Sequence, residues 1–168
     1  MLYGQLDEKN ENLKFMGKEI DLLINYPKPK RNLNKRASEK SKDNVSIARK
    51  FGKEFFDGDR KHGYGGFKYN PKFWQPVIPT FKKYWNLTSE NSILDVGCAK
   101  GFMLFDLYKM IPGINLAGVD ISEYAINNSP EEIKKNLTIA NVKKLPFPPK
   151  SFDVVISINT IHNLEKDE

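Results

Sequence analysis

The sequence predicts an α/β fold, a parallel sheet covered by helices, with a helical extension at its N-terminal side. Three observations carry this. From Ser92 onward, short apolar runs alternate with helical patterns. The runs, as in Val154-Val155-Ile156, lack the polar alternation of a half-exposed strand, which suits burial between two helical layers. Glycine or short polar residues then follow each run, where open parallel sheets bind their ligands. The composition sets three regions: a helical and basic extension at 1–60, a glycine- and aromatic-rich loop with a proline-broken helix at 61–91, and the alternating half at 92–168.

In the first region, Leu13, Phe15, Met16, Ile20, Leu22, Leu23 and Ile24 stand at mixed helical spacings and predict a docking helix within Asp7 to Asn25, ended by Tyr26-Pro27-Lys28-Pro29. Lys28 to Asn44 is nearly free of apolar residues and predicts an exposed linker or arm. The formal net charge is +6, and between Tyr26 and Lys50 nine basic residues face two acidic ones, so the excess is concentrated there. Such an arm can meet nucleic acid, but no aromatic residue interleaves with its basic run to stack a base, so a solvated linker is favoured. Val45, Ile47, Ala48, Phe51, Phe55 and Phe56 then predict a short amphipathic helix starting near Asp43 and packing on the main domain.

The stretch Asp57 to Tyr69, where glycines alternate with charged and aromatic residues, leads into the second region. Tyr64, Phe67 and Tyr69 can wall a pocket or simply dock on the core. Asn70-Pro71 is a helix-start signal, a capping residue before a proline at the first helical position. Pro76 and Pro79 then predict one kinked helix or two short ones through Trp85.

The third region reads as strand Ser92–Val96, helix Gly101–Ile111, a Pro112-Gly113 turn, strand Ile114–Asp120, helix from Ser122, strand Leu137–Val142 and strand Phe152–Asn159. Ser129-Pro130-Glu131-Glu132 has the form of a capping box and predicts a helical restart. The first strand breaks into Gly97-Cys98-Ala99-Lys100-Gly101. A dinucleotide loop would read G-x-G-x-x-G and cradle a pyrophosphate on backbone amides. Here the two glycines are four apart and Asp95 lies in the strand before them, a charge that opposes a phosphate and suits an ammonium or sulfonium. Asp120, nineteen residues past Gly101, is placed to accept hydrogen bonds from two ribose hydroxyls. Ribose, cationic charge and no phosphate together describe S-adenosylmethionine.

Ile93 to Gly101, then Leu116-Ala117-Gly118-Val119-Asp120-Ile121-Ser122, then Leu145-Pro146-Phe147-Pro148-Pro149-Lys150-Ser151-Phe152-Asp153-Val154-Val155, together resemble the class I, Rossmann-like S-adenosylmethionine-dependent methyltransferases, in the small-molecule branch that includes quinone-biosynthesis enzymes. The resemblance covers Ser92 to Leu164, and the Gly63–Tyr69 loop resembles the N-terminal lid of some members. It implies a sheet in the order 3-2-1-4-5-7-6, of which this sequence supplies 3-2-1-4. It implies that Asp95, Gly97, Cys98, Ala99 and Gly101 surround the methionine part of the cofactor. Asp120 would hold the ribose, with Ile121 against the adenine and Asn141 accepting from its amino group where many relatives have an aspartate. Val142 and Asn159, at the ends of the third and fourth predicted strands, complete the cofactor set. His162 is the first candidate for the base that manages the acceptor's proton, with Tyr64 and His62 as further candidates from the loop.

The expected function is methyl transfer to the oxygen or nitrogen of a small-molecule acceptor. Because the sequence stops after the fourth strand, the resemblance also implies truncation, with an exposed Val154–Ile158 edge open to self-association. A non-catalytic cofactor-binding fragment completed by another chain, and an RNA-directed enzyme using the 26–50 arm, remain as alternatives. Cys98 is the lone cysteine and His62 and His162 stand far apart, so neither a disulfide nor a structural metal is expected. With no apolar run long enough to span a bilayer and no leader pattern, the expected location is cytoplasmic, away from membranes.

Overall fold

The computed structural model describes residues 19–28, 41–161 and 164. The sheet has four parallel strands, β1 (Ser92–Val96), β2 (Asn115–Asp120), β3 (Leu137–Ile139) and β4 (Val154–Ile156), in the spatial order β3-β2-β1-β4. Register runs from Ser92 opposite Asn115 to Val96 opposite Val119, with Asp95 opposite Ile156 on the other side and Asp120 opposite Ile139. This is the Rossmann-like arrangement the alternating half predicts. β1 is central because Ile93 and Leu94 are buried whichever way they point, and the strand is covered on both faces.

Seven short helices accompany it among the described residues: α1 (Lys42–Ala48), α2 (Lys53–Phe56), α3 (Pro71–Trp74), α4 (Ile78–Trp85), α5 (Phe102–Met110), α6 (Glu123–Asn127) and α7 (Glu131–Lys134). α5 buries Phe102, Met103, Leu104, Asp106 and Leu107. Gly118 of β2 lets it sit close, since a Cβ there would fall 2.8 Å from Leu104 Cδ1 and 2.6 Å from Leu137 Cδ2. Asn70 and Pro71 start α3 as predicted, the Asn70 side chain accepting the Lys72 amide at 3.1 Å. The prolines yield two helices, α3 and α4, and Asn86 ends the second in the left-handed region at φ 51°.

Several predictions need correction. The single amphipathic helix over 43–56 is two helices, because Phe51 takes φ 46° ahead of Gly52; α1 buries no residue and α2 buries only Phe56. The capping box at Ser129 does not form: Ser129 Oγ donates to the Ile126 carbonyl at 2.7 Å, closing α6, and α7 starts at Glu131, with Pro130 at the cap position and no side-chain cap. β3 and β4 have three residues each, so Asn141, Val142 and Asn159 lie beyond the strands. β3 stops because β2 ends at Asp120, and β4 stops because β1 ends where Gly97 turns away.

Residues 20–25 form turns and no helix, since Asp21 Oδ1 takes the Leu23 amide at 3.0 Å, a local bond that competes with helical pairing. Leu22, Leu23 and Tyr26 nonetheless pack on the core, the Tyr26 ring 4.9 Å from that of Trp74. The rest of the Asp7–Asn25 helix and residues 29–40 of the basic arm lie outside the described residues. Among the described residues no helix is long and apolar enough to cross a membrane.

Candidate cofactor cleft

The glycine turn after β1 alternates in and out of the left-handed region, with Gly97 at φ +83°, Ala99 at +52° and Gly101 at +70°. Four of its five amides are engaged within the protein. Gly97 and Cys98 both donate to the Val119 carbonyl, at 2.8 and 3.0 Å, and Gly101 donates to Cys98 at 2.8 Å. Ala99 donates to Asp120 Oδ2 at 2.7 Å. A phosphate cradle needs such amides free and converging on the anion, so this turn suits a ligand without one.

Asp120 ends β2 and turns its carboxylate back across the turn. Oδ1 accepts the Ser122 amide at 2.9 Å and Oδ2 the Ala99 amide, and the Ile121 amide also reaches the carboxylate, so only part of its acceptor capacity remains for a ligand. Burial raises the Asp120 pKa, and the amides of Ser122 and Ala99 work against that rise. Asp95 lies in the neighbouring strand and is 5% exposed. Burial, and then the charge on Asp120, push its carboxyl up to about 7.

The unfolded chain would ionise Asp95 near pH 4 while the folded protein keeps the proton to about pH 7. Asp95 therefore withdraws stability progressively as pH rises from 4 to 7, and by a constant amount above that. Asp95→Asn is expected to raise the unfolding free energy by about 2–3 kcal/mol at pH 8 and to change it little at pH 4. Urea melts at the two pH values check this; an equal effect at both would show that the Asp95 pKa is not raised by folding.

Beyond the strand ends opens a cleft of about 240 Å³. It is lined by Gly97, Ala99, Asp120, Ile121, Asn141, Val142, Asn159 and Tyr64, so eight of the residues singled out in the sequence meet in one place. Ile121 is 54% exposed there, an apolar side chain presented to a ligand and not to the core. Asn141 Oδ1 accepts the Lys143 amide at 3.0 Å and keeps one lone pair. Three of the proposed cofactor residues do not line the cleft. Cys98 is buried with the core, its Sγ facing Gly118, and burial raises its thiol pKa further; Gly101 faces Ile133 and Leu137; Asp95 lies beneath the turn. His62, with its Nδ1 3.7 Å from Glu54 Oε2, is likewise away from the cleft, and His162 lies outside the described residues.

The sequence reading missed the opposite wall. Phe51, Phe55 and Phe56 line the cleft beside Tyr64, whose ring stacks on Phe56 at 5.8 Å and 13°. The density of aromatics before Asp57 was the available signal, and its helical spacing disguised it as a core face. Lys143, Ile158, Thr160 and Leu164 complete the lining. Also unforeseen was Lys100, 5% exposed, whose Nζ lies 2.6 Å from Asp57 Oδ2. Burial raises the Asp57 carboxyl, but bonds from Lys100, Tyr124 and the Phe67 amide outweigh it and bring the pKa down to about 2.

Residues 87–168 match a family model described as a methyltransferase domain. The mitochondrial arginine-hydroxylase NDUFAF5 of Rattus norvegicus is 37% identical over 70 residues, covering 41% of this chain and 20% of that protein. The malonyl-acyl-carrier-protein O-methyltransferase of Legionella pneumophila is 34% identical over 74 residues, 42% of this chain and 26% of that one. In fold, phosphoethanolamine N-methyltransferase 2 of Haemonchus contortus, in complex with phosphomonomethylethanolamine and S-adenosylhomocysteine, aligns with a TM-score of 0.51 at 19% identity, covering 71% of this chain and 30% of its own. The chain thus spans less than a third of the length of each of these relatives.

Proposed function

We propose that residues 87–168, which match the methyltransferase-domain model, are part of a class I S-adenosylmethionine-dependent methyltransferase domain, and that the cleft binds S-adenosylmethionine for methyl transfer to a small-molecule acceptor at oxygen or nitrogen. The observation that carries this is Asp120. Its carboxylate, with acceptor capacity remaining, lines the cleft beside a turn most of whose amides are engaged, which suits a ribose-bearing ligand without phosphate. The donor set fits the rest of the cofactor too: Ile121 and Val142 offer apolar surface to a purine, and Asn141 an acceptor to its amino group.

When bound, S-adenosylmethionine supplies an electrophilic methyl group on a sulfonium. The chain's own task is to hold that group in line with the acceptor and to receive the acceptor's proton. Asp120 and the Gly97–Ala99 turn fix the cofactor's orientation, and the Phe51–Phe55–Phe56–Tyr64 wall limits water. His162 is proposed as the proton acceptor, with Tyr64 as the second candidate. In this proposal 92–168 is the cofactor half, 61–91 the lid and broken helix, and 1–60 the extension, the location being cytoplasmic. As the chain covers 20% and 26% of the two curated relatives described above, residues beyond these 168, or a partner chain, would supply much of the acceptor site.

The test is calorimetry of the folded chain with S-adenosylmethionine and S-adenosylhomocysteine. Binding of both, abolished by neither salt nor chelator, is expected; no heat from either on folded protein would overturn the proposal. The rat relative is named for hydroxylation, and a shared fold does not fix the reaction. Mass spectrometry of turned-over acceptor separates the two: a gain of one methyl group supports transfer, whereas a gain of one oxygen supports the second reading.

A further inference from the structure

We propose that Lys100 and Asp57 are positioning residues: their ion pair fixes the 51–67 segment as the outer wall of the cleft and ties that wall to the glycine turn. Lys100 lies within the turn itself, between the cleft-lining Ala99 and Gly101, and its side chain points away from the cleft into the segment. There its Nζ donates to Asp57 Oδ2 at 2.6 Å and to the Phe67 carbonyl at 2.9 Å. Asp57 gathers two more donors, the Tyr124 hydroxyl of α6 at 2.7 Å and the Phe67 amide at 2.9 Å. Ser122 Oγ adds a bond to the Phe51 carbonyl. One acidic residue thereby joins both ends of a loop to the turn after β1 and the helix after β2.

The segment needs such an anchor. α2 has four residues, too few to persist alone. Gly58, Gly63, Gly65 and Gly66 raise the entropy lost on ordering the rest. Most of its internal bonds close turns between near neighbours, and two longer ones, Tyr64 to the Phe55 carbonyl at 2.9 Å and Gly66 to the Phe56 carbonyl at 3.0 Å, fold the loop back on α2. These hold Tyr64 against Phe55 and Phe56 but do not themselves attach the group to the sheet. A buried lysine is costly without a partner, so loss of either charge should release the contact and not merely weaken it.

Hydrogen exchange of the ligand-free chain tests the anchor directly. In Lys100→Met and Asp57→Asn, the Tyr64, Gly66 and Phe67 amides are expected to exchange about tenfold faster or more, while amides of β1 and β2 keep their rates. Leu107→Ala, a core change remote from the pair, should instead raise exchange across the sheet, which separates anchoring from general destabilisation. Unchanged rates at the three amides in both variants would overturn the proposal, as would a rise no larger than that in the sheet. A second arm rests on the reading of the cleft as a cofactor site: S-adenosylhomocysteine should dissociate about tenfold faster from Asp57→Asn, whose side chain does not line the cleft. Dissociation within twofold of the parent, with the loop amides accelerated, would overturn the coupling of wall to ligand. Failure of the parent chain to bind the ligand at all would count against the cofactor reading alone, since the exchange arm needs no ligand.

Discussion

Asp120→Asn is expected to weaken S-adenosylhomocysteine binding by about 100-fold while leaving the chain folded. Four hydrogen bonds define the role of Asp120 in the proposed complex. Two are internal, the Ala99 amide on Oδ2 and the Ser122 amide on Oδ1. Two would come from the ribose hydroxyls. A carboxylate has acceptor sites for all four, whereas an asparagine has one oxygen and one amide group that only donates. Whichever way the asparagine turns, one backbone amide faces a donor, and one ribose hydroxyl loses a charge-assisted acceptor. The first effect should lower stability by about 1–3 kcal/mol, offset in part because a buried charge is removed. The second falls on the ligand, at about 1.5–3 kcal/mol for a hydrogen bond to a charged group, and displacement of the Ala99 turn adds to it.

The variant carries an internal check through Asp95. With its charged neighbour gone, the Asp95 carboxyl should titrate below the value of about 7 it has beside Asp120. Calorimetry gives the affinity and a urea melt the stability. Affinity within threefold of the parent, on folded protein, would show that Asp120 acts only as a brace for the turn and that the ribose is held elsewhere.

The strand order was legible because each strand is a local apolar run followed by a turn residue, and parallel connections leave few topologies. The cleft residues from Gly97 to Asn159 were legible for a related reason, as they all follow strands, and the sheet brings strand ends together. What was not legible depends on contacts distant in sequence. Phe51, Phe55 and Phe56 have the spacing of one helix; only the break at Phe51 and Gly52 turns their rings toward the cleft, and spacing does not encode that break. Lys100 and Asp57 are 43 residues apart, and nothing local distinguishes that lysine from any solvated one. The capping box failed at Ser129 because an adjacent helix end competed for the same hydroxyl and won. Cys98 illustrates a further limit: its position in the turn is readable, but the direction of its side chain, into the core toward Gly118, is set by the fold.

Gly97→Ala should be the most damaging methyl addition in the cleft, and a second substitution should reveal why. A Cβ at Gly97 would stand 1.9 Å from Thr160 Oγ1 and 2.5 Å from its Cγ2, closer than any real contact, on a backbone at φ +83°. Two penalties follow. The left-handed backbone penalises any side chain by about 1–2 kcal/mol, and displacing a β-branched residue from a packed position adds about 1–3 kcal/mol. Thr160 has no flexible arm with which to retreat, and it lines the cleft with Ile158 and Asn159, so its movement redraws the wall opposite Asp120. Loss of S-adenosylhomocysteine affinity by about 50-fold or more is expected, with a fall in unfolding free energy of about 2–4 kcal/mol. Gly97→Ala in a Thr160→Ala background removes the two shortest contacts, leaving the Cβ of residue 160 at 2.7 Å and the backbone strain. The double variant should therefore recover at least about half of the lost stability relative to Thr160→Ala alone, measured as a double-mutant cycle. Strict additivity of the two substitutions would mean that the Gly97 backbone alone sets the penalty, and that Thr160 does not close against the turn in solution.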